Sequence, residues 1–211
     1  DVNNGGTFQA ATSRFALTRV TFAAGSKIAD TTTSPPTHWL TGNTFAATVY
    51  CPADYVPWLE SNTSFGVVEV LGGTLSSSVT WNVLGAGMTQ YQFDGALTIA
   101  SGATLSLSAG TRWYLDSGAT VTVNGRLAIN GAEWVRLLAN YSYTNTGFVV
   151  NGTMTVNNTA FSKASGNYGT DYIDVNNGGT FRAAASSFQL TRVKFAAGSK
   201  IADTTTSPPT H

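Results

Sequence analysis

Charge is the scarcest property of this 211-residue chain. Only 10% of its residues are Asp, Glu, Lys or Arg, against about a quarter in an ordinary globular protein, and 11 basic side chains balance 11 acidic ones. With no basic excess to displace counterions from phosphates, sustained nucleic-acid binding is not expected. An intrinsically disordered chain is excluded as well, because 42% of the residues are hydrophobic and 11% aromatic. Cysteine is nearly absent: Cys51 stands alone and has no intrachain disulfide partner, which leaves a buried thiol or an intermolecular bridge. Long apolar runs are missing too. The charge-free stretch from Leu137 to Ser162 is broken by Asn140, Asn145, Asn151 and several Thr, so no membrane insertion is expected in this segment. No heptad pattern of the coiled-coil kind survives inspection. What is abundant is Thr, the commonest residue type, together with Gly at 22. The composition is that of a β-rich, nearly neutral solid.

Self-similarity decides the organisation. Residues 1–38 return as residues 174–211, an offset of 173, with five differences: Gln9/Arg182, Thr12/Ala185, Arg14/Ser187, Ala16/Gln189 and Thr21/Lys194. Phe8, Phe15, Leu17, Val20 and Phe22 all return unchanged. Drift confined to positions that can face water means that one core is built twice. The expected organisation is a unit of residues 1–173 followed by the start of a near-identical unit at 174–211, in one continuous tandem array. One unit has seven basic and nine acidic side chains, a net charge of −2.

A shorter rhythm runs inside the unit. Val-Asn recurs at Val123-Asn124, Val150-Asn151 and Val175-Asn176, at nearly even intervals. Apolar residues alternate with polar ones at Leu97/Ile99, Leu105/Leu107, Val121/Val123, Leu127/Ile129, Met154/Val156 and Ile173/Val175. Gly or Asn punctuates these runs, as in Ser101-Gly102, Ser117-Gly118 and Asn124-Gly125. Alternation of period two between turn residues reads as short strands with Thr on the outward positions. Short strands that repeat at the interval of the Val-Asn pairs predict a solenoid in which each coil pairs with the coil before it. Parallel crossovers are right-handed by strong preference. The expected fold is therefore all-β, a right-handed parallel β-helix of about seven rungs of roughly 25 residues per unit, advancing roughly 33 Å. The alternating residues above, together with Val150 and Val175, form the expected core ladder. Asn124, Asn151 and Asn176 fall at one corner, either as a hydrogen-bonded amide ladder or as turn residues tolerated in the left-handed region.

The stretch GALTIASGATLSLSAGTRWYLDSGATVTVNGRLAINGA, residues 95–132, resembles secreted bacterial right-handed β-helix proteins. NNTAFS at 157–162 and ASSF at 185–188 resemble the Asn/Ser-x-Phe coils of the same group. That group includes pectate-lyase-like enzymes, tailspikes, autotransporter passengers and giant tandem-repeat surface adhesins, so the resemblance implies a fold and an extracellular or cell-surface place in bacteria. It does not choose among functions. Residues 52–65 depart from the pattern, since Pro52, Pro57 and Trp58 break the alternation; a protruding loop or irregular coil is expected there.

Chemistry is thin. Glu69 and Asp94 are separated by one average coil length and are the one acidic pair expected on neighbouring rungs, too little for a lyase or hydrolase site. His38, copied as His211, follows a Pro-Pro loop and has no triad or metal partner at a useful spacing. Gly5-Gly6, Gly72-Gly73 and Gly178-Gly179 read as tight corners rather than phosphate loops. No cofactor, metal or catalytic residue is expected. The five Trp and eight Tyr exceed what a slim interior is expected to hold. Outward members, one of Trp113 and Tyr114 among them, are expected as seams between molecules or as sugar platforms. Tyr55, Pro57 and Trp58 form the first contact-loop candidate, and Pro35 with Pro36 the second. The expected function is a structural component of an extracellular filament or surface fibre. Its partners are copies of itself, stacked axially and bundled laterally. An adhesin stalk binding glycans through exposed aromatics is the alternative, and a polysaccharide lyase or hydrolase the third reading.

Overall fold

The computed structural model describes residues 6–10, 16–18, 21–22, 27–30, 39–41, 44–45, 48–60, 67–84, 90–137, 145–163 and 169–203. Every strand pair among them is parallel. The chain is a parallel β-solenoid.

Three faces build each regular coil, in the order one, two, three along the chain. A representative coil runs through Arg112–Leu115 on face one, Thr120–Val123 on face two and Arg126–Asn130 on face three. Face one continues through Trp134–Leu137, Ala160–Lys163 and Ser187–Gln189. Face two continues through Thr146–Val150, Asp171–Val175 and Arg192–Phe195. Face three consists of Val79–Trp81, Thr104–Leu107, Arg126–Asn130, Thr153–Asn157, Thr180–Ala184 and Lys200–Asp203. Two long strands, Val67–Leu75 and Gln90–Ile99, cross the corner between faces one and two. Residues 90–93 pair with Arg112–Leu115 while residues 96–99 pair with Thr120–Val123. The corner falls where the register shifts between Asp94 and Leu97, beside Gly95 at φ +113°, a conformation only glycine adopts without strain.

Alternation explains why these segments are strands with one buried edge. Thr104–Leu107, Arg112–Leu115 and Thr120–Val123 each alternate half-buried and buried residues. Stacking then aligns the inward residues into columns. On face three the column runs Val79, Leu105, Leu127, Met154, Phe181, Ile201. On face two Leu97, Val121, Phe148, Ile173 and Val193 do the same. None of Leu97, Ile99, Leu105, Leu107, Val121, Val123, Leu127, Ile129, Val150, Met154, Val156, Ile173 and Val175 is more than 1% exposed.

Two expectations are corrected, and one left open is decided. Coils are not uniform. The six strands of face three mark about five turns, while face one extends beyond them to Thr7–Ala10. Coil length also varies, from the short step Val49↔Val68 to long ones such as Thr120↔Gly147. The variation sits in the corner segments, because the strands must stay in register while the loops between them need not. Of the two readings of residues 52–65, a protruding loop and an irregular coil, the described part takes the second, since Ala53–Leu59 form a 3-10 helix. Ala53, Tyr55, Val56 and Leu59 on it are all buried, so an apolar surface is satisfied inside the coil rather than offered to a partner. Finally, the interior holds more aromatic volume than expected. Trp81, Tyr91, Phe93, Trp113, Phe148 and Phe161 are all at most 2% exposed. The rings nest both edge-on, as Phe93 against Trp113 at 4.9 Å and 64°, and stacked, as Trp113 on Phe148 at 6.3 Å and 2°.

Candidate functional site: the outer faces and the coil corners

In two successive coils the corner between faces two and three is built by Val-Asn-Gly, at 123–125 and 150–152. Asn124 and Gly125 both donate their backbone N–H to Ile99 O, and Asn151 and Gly152 both donate to Val123 O, so each corner hangs on the coil below. A side chain at Gly152 would collide with the carbonyl oxygens of Asn124 and Gly125; the glycine is required by close approach of backbones, not by its φ. With the corners superposed, the amides meet. Asn151 Nδ2 donates to Asn124 Oδ1 at 2.8 Å, and Asn176 Nδ2 donates to Asn151 Oδ1 at 2.7 Å. Of the two readings of this column, the ladder is the one formed.

A second ladder, not expected from the Val-Asn rhythm, lies at the corner between faces three and one, where Asn157 Nδ2 donates to Asn130 Oδ1 at 2.8 Å. Its signal was the spacing of Asn130 and Asn157, equal to that of Asn124 and Asn151. The same corner carries the left-handed residues Gly131 (φ 68°), Asn158 (φ 46°) and Ala185 (φ 48°), which recur at that same spacing.

Outside the corners, face one gathers the polar and aromatic side chains that point outward. Stacked in register are Gln90, Arg112 and Trp134, beside Gln92, Tyr114 and Arg136. The Trp113-Tyr114 pair divides as strand geometry demands, with Trp113 0% exposed and Tyr114 on the outer side. Arg112 grips Glu133 with two hydrogen bonds of 2.5 Å each. The Arg112 hydrogen bonds hold the Glu133 carboxyl below its ordinary pKa, and Glu133 in turn raises that of Arg112. Arg136 lies 4.6 Å and Arg112 5.8 Å from the centre of the Trp134 ring, and Tyr114 meets that ring edge-on at 6.5 Å. Burial, and then the Asp116 carboxylate, push the Tyr114 hydroxyl above its usual range. On face two, Arg192 pairs with Asp174 at 2.6 Å and lies 5.1 Å from the Tyr172 ring.

The remaining sequence candidates scatter. Glu69 pairs in register with Gln92 rather than Asp94, whose partner is Leu71. The coil there, Val67↔Gln90, is shorter than the average, so the spacing of the two acids does not make them rung neighbours. Glu69 is 8% exposed. Among the described residues no three His, Cys, Asp or Glu side chains group closely enough to hold a metal ion. Tyr55 is 5% exposed and Pro57 half-buried, so this contact-loop candidate is largely interior. The side chain of Trp58, and Pro35, Pro36 and His38 entirely, lie outside the described residues. Cys51 pairs in register with the buried Val70. No helix among the described residues is long and apolar enough to cross a membrane.

One strand pairing of the repeated segment recurs in both copies. In the first, Thr7, Phe8, Gln9 and Ala10 pair with Lys27, Ile28, Ala29 and Asp30. In the second, Thr180, Phe181, Arg182 and Ala183 pair with Lys200, Ile201, Ala202 and Asp203, the same register one unit on. All five substituted positions of the second copy, Arg182, Ala185, Ser187, Gln189 and Lys194, are exposed.

Comparison with family models, with curated proteins and with solved structures returns no match. What the residues and geometry above establish is a parallel β-solenoid with amide-laddered corners and a repeated coil.

Proposed function

We propose that this chain is a structural segment of an extracellular filament or surface fibre, lengthened by adding near-identical solenoid units in tandem. One observation carries the reading: the strand pair that opens the repeated segment takes the same register in both copies, and every difference between the copies that the second copy presents is exposed. A sequence that is copied and keeps its core and register adds coils without redesigning the joint. Exposed apolar side chains support it. Val193 and Ile201, at inward register positions of the last coil, are 41% and 62% exposed. In the first copy the position equivalent to Ile201, Ile28, is paired with Val49 of the next coil. The small net charge keeps repulsion between neighbouring rods low. The role proposed is mechanical and non-catalytic, at the bacterial cell surface, with copies of the chain as partners.

The test is a series of concatemers of one, two and three 173-residue units studied by small-angle X-ray scattering. A rod of constant cross-section, lengthening by an equal step per unit, is the expected result. Beads on a hinge would overturn the reading.

A second reading, a stalk that also holds glycans, is favoured by the outward Trp134 and Tyr114 on face one. Sugar rings stack on such aromatics, and the flanking guanidinium of Arg136 suits acidic ones. Binding of acidic oligosaccharides that is lost in Trp134→Ala, measured by calorimetry, would support it; unchanged binding, or none, would remove it.

A further inference from the structure

We propose that the last coil of this chain, which opens the second tandem copy, is a docking surface for the coil equivalent to residues 39–52 that continues that copy, and that each copy enters the solenoid turned by one face, about a third of a turn, relative to the copy before. The proposal rests on the tandem-fibre reading and adds to it the geometry of the joint.

The argument begins with where the same residues lie. In the first copy Phe8 heads the register column of face one, which runs through Ile28, Val49, Val68, Tyr91, Trp113, Val135, Phe161 and Phe188. Its counterpart Phe181 belongs to face three, on Met154 and under Ile201. Likewise Lys27–Asp30 lie on face one and Lys200–Asp203 on face three. One repeated segment therefore occupies two different faces.

Counting the coils gives the rotation. From Thr7–Ala10, seven steps along face one reach Ala160–Lys163. Two further faces, Asp171–Val175 and then Thr180–Ala184, complete the unit. A unit is thus seven and two-thirds coils, one face short of a whole number. The solenoid tolerates this because a coil of the repeat closes on itself: Thr7↔Lys27 and Thr180↔Lys200 are steps of the same length. Each face asks only for apolar residues at alternate positions, so the segment has no preference for the face on which it starts.

The first copy also shows what would cover the last coil. There Ala16–Thr18 pair with Trp39–Thr41, Phe22 pairs with Phe45, and Ile28 pairs with Val49. In the continuation of the second copy, the counterpart of Phe45 would lie over Phe195 and that of Val49 over Ile201. At a strand spacing of about 4.8 Å, each unit advances ~37 Å, and three units, twenty-three coils, bring a given side chain back to its face after ~110 Å. The Trp134 cluster, confined to one face of a single unit, then points in three directions along the fibre.

The experiment is a concatemer of residues 1–173 followed by residues 1–211, solved by cryo-electron microscopy or crystallography. Trp134 of the second copy is expected one face away from Trp134 of the first, within one unbroken rod. Both Trp134 rings on the same face would overturn the rotation while leaving the tandem fibre intact. Two bodies joined by a hinge would overturn both. As a solution measurement, Ile201→Asp should leave the melting temperature of the 211-residue chain unchanged, while the same substitution at the joint should lower that of the concatemer. Equal melting of concatemer and variant would refute the docking.

Discussion

Two neighbouring tryptophans offer a controlled test of what holds the core. Trp81 and Trp113 are both 0% exposed, and their rings lie 5.7 Å apart in the same aromatic stack. They differ in one hydrogen bond. Trp81 Nε1 donates to Ala53 O at 3.1 Å and so ties the buried helix to face three, whereas Trp113 Nε1 is buried with no acceptor among the described residues. Trp→Phe at either position removes a similar volume from a similar environment, so the cavity cost largely cancels in the difference. At Trp81 the change also loses that hydrogen bond, at about 1 kcal/mol; at Trp113 it removes a buried donor whose desolvation already costs about 1–3 kcal/mol. Trp81→Phe should therefore be the more destabilising by roughly 2–4 kcal/mol. For a chain of this length that is on the order of 5–15 °C in melting temperature. Urea unfolding followed by far-ultraviolet circular dichroism, on both single variants, measures the gap. Equal costs, or a larger cost at Trp113, would refute the assignment of the Trp81–Ala53 bond as the tie between helix and coil. The double variant should not be additive, since the rings touch.

Other consequences follow from the corners and the surface. Asn151 both donates and accepts in its ladder, so Asn151→Ala should cost about 1–2 kcal/mol, roughly twice Asn124→Ala, by chemical denaturation. Asn151→Asp should be worse near neutral pH, because a carboxylate cannot donate to Asn124 Oδ1, and should recover as the new acid protonates below about pH 4. Ala185 sits at φ 48° in the column of Gly131 and Asn158; Ala185→Gly should raise stability by about 0.5–1 kcal/mol in thermal melts, since relief of left-handed strain exceeds the added chain entropy. Glu133 has a depressed pKa from its Arg112 hydrogen bonds. Its contribution is therefore fully present above the ordinary carboxylate value of 4.5 and lost as pH falls through the depressed one. The stability gap between the native chain and Glu133→Gln should close on acidification, and a gap that persists at about pH 2 would contradict the pairing.

The resemblance and the alternation differ in what they made legible. Which side chains face inward could be read from Leu105/Leu107 or Val121/Val123 directly, because the two-residue period of a strand is a property of the backbone. The same holds for the stacked asparagines. Residues that recur at a coil-length spacing beside a turn glycine must come to the same corner, and amides superposed there bond to one another. Even Trp113 and Tyr114 were bound to part, although only the register showed which one points inward.

Other features depend on contacts that no local pattern encodes. Residues 52–65 break the alternation, and only the packing of Tyr55, Val56 and Leu59 beneath the next coil makes the helix Ala53–Leu59 largely interior. Glu69 and Asp94 looked like rung neighbours at an average coil length, but the shorter coil between them sets Glu69 beside Gln92. The tandem copies themselves are written in the sequence, as is the identity of the core they rebuild. The face on which each copy lies is not, because it depends on the sum of coil lengths between them. Those lengths differ from Val49↔Val68 to Thr120↔Gly147 and are fixed by how each corner packs on the coil below.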